Sequence, residues 1–107
     1  MIRVDFLTPP QGGLLGFRME GHAGFGPEGE DIVCAAVSSA AYLTVNTLTE
    51  IRHITPSSLR VEEGEMFFRT EPKDEPLCRD FLQGLKLHLT ALEEQYPQCV
   101  QVGYLEI

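Results

Sequence analysis

The sequence predicts an α+β two-layer sandwich, one mostly antiparallel sheet with two helices on one face, in ββαββαβ order. Three observations lead there. Short runs alternate apolar and polar residues at period two, which is the mark of half-buried strands. Two long stretches, 31–51 and 74–96, instead carry apolar residues at helical spacing. Breaks rich in proline, glycine and serine separate these runs and set their order. With 107 residues there is material for one domain, 1–107, and too little for two.

The first strand places Ile2, Val4 and Phe6 on one face and Arg3 and Asp5 on the other. Pro9, Pro10, Gly12 and Gly13 turn the chain, and alternation resumes with Leu15, Phe17 and Met19, so the two strands form a hairpin. The segment from Gly21 to Glu30 holds four glycines and a proline in ten residues and reads as a mobile loop. Asp31 is a good helix N-cap for a run extending to about Ile51, with Val33, Val37, Ala40, Ala41, Thr44, Leu48 and Ile51 on one stripe. After the break at Thr55–Ser58, Leu59 and Val61 begin a strand, Glu63-Gly64-Glu65 turns, and Met66–Arg69 returns as a second hairpin. Asp74, Glu75 and Pro76 open a helix whose apolar side carries Leu77, Phe81, Leu85, Leu89, Leu92 and Tyr96, before Pro97 stops it. Val100, Val102 and Tyr104 alternate in a last strand. The sheet face away from the helices needs a polar cover or a partner, which suggests a dimer.

Charge and cysteine usage narrow the function. Eight Lys and Arg stand against 16 Asp and Glu, for a formal net charge of −8. Phosphate binding depends on clustered cations, so nucleic acid is not expected as a direct partner. Hydrophobic residues at 43% argue against disorder. The N-terminus alternates where a signal peptide would need an unbroken apolar run, and no run of consecutive apolar residues reaches the ~18 of a membrane span. Cys34, Cys78 and Cys99 leave an odd thiol and form no C-x-x-C pair, which points to a reducing compartment, the cytoplasm, and to neither zinc nor dithiol redox chemistry. His53 and His88 lack partners at metal-ligand spacing, and no cofactor is expected.

The chemistry concentrates between Gly21 and Ser39. If Asp31 caps the helix, Cys34 lies in its first turn, where unpaired backbone N–H groups and the positive end of the macrodipole favour a thiolate. His22 sits twelve residues earlier, at the end of a strand, and the intervening loop can bring the two together as base and nucleophile. Backbone N–H groups of residues 32 to 34 are the expected oxyanion donors. The bland alternatives are a buried cysteine serving as a small hydrophobe and a surface histidine. Ser38, one turn after Cys34, either orients the thiol or the substrate, or bonds back to its own helix. Phe25 either contacts substrate or anchors the loop, to which Gly24, Gly26 and Gly29 also belong. This loop lacks the Lys-Ser/Thr ending of a phosphate cradle. Cys78 and Cys99 read as packing, and the acids at 62, 63 and 65 as a solvated turn.

Gly21-His22-Ala23-Gly24, followed by Gly29-Glu30-Asp31-Ile32-Val33-Cys34-Ala35-Ala36-Val37-Ser38, resembles the signature of the ribosomal-processing cysteine protease family Prp, and chain length and element order extend the resemblance over nearly the whole chain. The resemblance implies a cysteine endopeptidase that removes an N-terminal extension from large-subunit ribosomal protein twenty-seven, cutting after an aromatic-containing apolar stretch. It implies a catalytic dyad of His22 and Cys34, with Asp31 capping the helix, orienting His22, or both. It further implies a homodimer with a flexible loop, residues 23 to 30, over the site. A negative enzyme would attract a basic ribosomal protein, and a glycine-rich loop could close over an extended peptide. Two competing readings are a non-enzymatic acidic binding module for a basic ribosomal protein and a thiol hydrolase or acyltransferase acting on a small molecule with the same dyad.

Overall fold

The alternating runs do pair into one sheet. The structure, a computed structural model, describes residues 1–27 and 31–107. Strands β1 (Ile2–Thr8), β2 (Gly16–Gly21), β3 (Ser58–Glu62), β4 (Glu65–Arg69) and β5 (Val100–Glu106) lie in the order β3-β4-β2-β1-β5. Every neighbouring pair is antiparallel except β1 with β5, which run parallel with Val4 opposite Val102. Helix α1 (Ile32–Asn46) continues into a π-helical turn (Thr47–Ile51), and α2 (Glu75–Gln95) follows a short 3-10 turn (Pro72–Asp74).

Both helices cover the same sheet face. Ile2, Val4, Phe6, Phe17, Met19, Met66, Phe68 and Val100 from the strands form one core with Val33, Val37, Ala41, Val45 and Leu48 of the first helical segment and Cys78, Leu82, Leu85 and Leu89 of α2. Phe17 stands between Phe6 and Phe68, at ring-centroid separations of 6.2 and 6.3 Å, so β1, β2 and β4 share an aromatic spine. Burying each such ring contributes about 1.5–3 kcal/mol.

Two sequence expectations need correction, and two further features add to the reading. Ile51 is 70% exposed rather than on the stripe of α1, because the wider π-helical turn rotates the chain and Ile54 packs inward instead. Leu77 is exposed, whereas its neighbour Cys78 is fully buried, so the seam of α2 is Cys78, Leu82, Leu85 and Leu89, with Phe81, Leu92 and Tyr96 at its margin. Asp5 does face away from the helices, yet it is buried. Its carboxylate accepts hydrogen bonds from Arg3 at 3.0 Å and Arg18 at 3.4 Å, which together give the open face a polar cover. Finally, Ile32–Ile51 is long and apolar enough on average to cross a membrane, although interspersed Ser and Thr prevent a consecutive apolar run. Its buried stripe belongs to the core just described.

Candidate active site

The site forms where the end of β2 meets the start of α1. Gly21 closes β2 at a positive φ of 97°, and a Cβ there would lie 2.3 Å from the Met1 carbonyl oxygen, so the close pass of the first residue requires glycine. His22 follows directly, with its carbonyl accepting a hydrogen bond from the Met1 amino nitrogen. The N–H of Gly21 donates to the Gly64 carbonyl at 2.9 Å, which ties the turn between β3 and β4 to this corner.

Asp31 organises the other side. It adopts extended dihedrals (φ −78°, ψ 98°) and accepts the Cys34 N–H on Oδ1 at 2.9 Å, an N-cap that fixes the first turn of α1. Its Oδ2 accepts the Phe25 N–H at 3.1 Å, so one carboxylate joins loop and helix. The Cys34 amide leads the contacts that hold its carboxyl below the usual aspartate range, and the amides of Phe25, Val33 and Gly24 add to it. Of the roles open to Asp31, the cap is the one its geometry performs; among the described residues its hydrogen bonds do not go to His22.

Cys34 is thus the third residue of α1, half-buried and free of any disulfide. It lines a cleft of about 400 Å³ with His22, Gly24, Gly26, Asp31, Ala35 and Ser38. An adjoining cavity of about 160 Å³ shares His22, Cys34 and Ser38 and is completed by Ile2, Met19, Gly21, Tyr42 and residues 62–66. His22, Cys34 and Ser38 border both spaces.

The remaining expectations divide. Ser38 faces both cavities and, among the described residues, does not bond back to its own helix, unlike Thr44, whose hydroxyl donates to the Ala40 carbonyl at 2.9 Å. Phe25 packs edge-on against Tyr96 at the end of α2, with centroids 5.4 Å apart and planes at 80°, so it anchors its loop. Gly24 and Gly26 line the cleft, while Gly29 lies outside the described residues. The expected oxyanion donors must be revised: the Cys34 amide is already committed to Asp31, because the same orphan N–H groups serve an aspartate cap. Cys78 is buried in the core, and desolvation pushes its thiol pKa up. Cys99 is half-buried against the core. No group of three His, Cys, Asp or Glu side chains among the described residues could hold a metal.

The sequence did not reveal the contributions of Tyr42, Gly64 and Tyr96. Tyr96 was legible only as one more apolar position, and the acids around Gly64 concealed a turn that reaches the site.

A two-layer α+β fold with an accessible thiol at a helix start, sharing a cleft with a histidine, defines a candidate thiol-dependent hydrolase. The family model "Cysteine protease Prp" matches residues 1–101, and the chain belongs to that family. The ribosomal processing cysteine protease Prp of Staphylococcus aureus is 29% identical over 105 residues, covering 97% of this chain and 99% of that protein. Its Bacillus subtilis counterpart is 28% identical over 107 residues, covering 95% and 96%. The crystal structure of the S. aureus protease with a covalently linked product peptide superposes with a TM-score of 0.89 at 27% identity, covering 98% of this chain and all of that one. The chain is therefore a cysteine protease rather than a binding module.

Proposed function

We propose that this protein is an endopeptidase using Cys34 as nucleophile and His22 as general base and acid, and that it trims the N-terminal extension of large-subunit ribosomal protein twenty-seven. The observation that carries the proposal is the shared cleft: an accessible thiol in the first turn of α1 and the imidazole after β2 border the same space. The relatives' name, ribosomal processing cysteine protease, and the peptide in the related crystal structure support a ribosomal protein substrate, and the resemblance of the sequence signature implies protein twenty-seven. A net charge of −8 suits a basic substrate protein and disfavours direct RNA contact.

In this reading the Cys34 thiol yields its proton to His22 and its sulfur attacks the scissile carbonyl carbon. The tetrahedral intermediate collapses as His22 delivers the proton to the departing amine, leaving a thioester on Cys34. Water, deprotonated by His22, then attacks the thioester; the carboxylic acid product leaves and the thiol is restored. Asp31 serves by holding the first turn of α1, and hence Cys34, in register with the loop. Action in the cytoplasm as a homodimer completes the proposal.

Cleavage of the unprocessed ribosomal protein, followed by mass spectrometry, tests it. Wild type should release the extension, while Cys34→Ala and His22→Ala should fold and not cut. Unimpaired cutting by Cys34→Ala would overturn the assignment.

A further inference from the structure

We infer that the turn between β3 and β4 seats the His22 imidazole, and that Gly64 is a positioning residue for the dyad; the inference rests on the dyad reading above. Three observations carry it. The Gly64 carbonyl accepts the N–H of Gly21, the residue immediately before His22, at 2.9 Å. A Cβ built on Gly64 would lie 3.1 Å from His22 Nε2, 3.6 Å from Cε1 and 3.9 Å from Cδ2, so the ring edge fills the space that a side chain at this position would take. The turn also walls the smaller cavity together with His22 and Cys34.

The arrangement explains a glycine between acids that otherwise reads as an ordinary turn. Gly64 has φ +72°, a left-handed conformation, which alone favours glycine. Its contact with the imidazole is a separate demand. Asparagine tolerates the left-handed region far better than alanine does, yet it carries a Cβ all the same. The two demands can therefore be pulled apart by substitution.

At the Gly64 α-carbon, a Cβ must push the ring away by a few tenths of an ångström, and misplacement on the scale of 1 Å costs catalysis roughly a hundredfold. Gly64→Ala and Gly64→Asn should both lower kcat by about two- to tenfold with KM unchanged. Gly64→Asn should nevertheless melt closer to wild type than Gly64→Ala. Alkylation of Cys34 followed across pH gives a readout that a purely structural role would not move: both variants should displace the His22-dependent limb of the profile. Recovery of kcat in Gly64→Asn in step with stability, or wild-type kcat in both variants, would overturn the inference. His22→Ala distinguishes the two layers. If His22→Ala cuts normally, the dyad itself is wrong; if it is dead while Gly64→Asn is fully active, only the role of Gly64 fails.

Discussion

The contact between Phe25 and Tyr96 is the tether of the loop that borders the cleft, and its strength can be worked out. Edge-to-face aromatic pairs contribute about 0.5–1.5 kcal/mol beyond their area burial. Phe25 remains 49% exposed, so the pair belongs in the lower half of that range, about 0.5–1 kcal/mol. At about 1.4 kcal/mol per factor of ten, this is a two- to fivefold shift in the loop's opening equilibrium. The Phe25 amide reports that equilibrium directly, because it is protected only while it donates to Asp31 at 3.1 Å. Hydrogen exchange at this amide should therefore accelerate about two- to fivefold in Phe25→Ala, and equally in Tyr96→Ala. The double variant should go no further, since both substitutions delete the same contact. Accelerations that multiply in the double variant, or no acceleration in any of the three, would refute the tether.

Two further outcomes follow from burial and charge. A soluble alkylating reagent should label Cys34 first, Cys99 more slowly and Cys78 scarcely at all, because Cys78 is fully buried and desolvation disfavours its thiolate; peptide mapping over time checks the order. Stability should fall on acidification: the Arg79 guanidinium holds the Glu75 carboxyl below its ordinary value, and a depressed folded-state pKa stabilises fully above the unfolded value and is lost as pH falls through the folded one. Melting curves between pH 7 and 3 should show this loss, and Glu75→Gln should flatten the low-pH part of the profile while lowering stability at neutral pH by about 1–2 kcal/mol.

The sequence carried much of this architecture because its patterns are local. Alternation at Ile2, Val4 and Phe6 and the cap at Asp31 depend on near neighbours, and both hold in the folded chain. The misreadings at Ile51 and Leu77 have a common cause: each lies one turn or less from a truly buried residue, and a small rotation of the helix, set by tertiary packing, decides which one faces the core. Alternation places Asp5 on the open face, where it lies, but shows nothing of its burial, which comes from the arginines of β1 and β2 folding over it. At the site, His22 and Cys34 were legible through spacing and family signature. Gly64 and Tyr96 were not, since they meet His22 and Phe25 only through sheet pairing and the length of α2, 42 and 71 positions along the chain.

The central claim, that the sulfur of Cys34 is the group that attacks the peptide, is tested most directly by covalent capture. A peptide ending at the cleavage position in a chloromethyl ketone, incubated with the intact protein and mapped by mass spectrometry, should modify one cysteine per chain. The adduct should sit on Cys34 in wild type and vanish in Cys34→Ala. An adduct on Cys78 or Cys99, or one that persists in Cys34→Ala, would contradict the account.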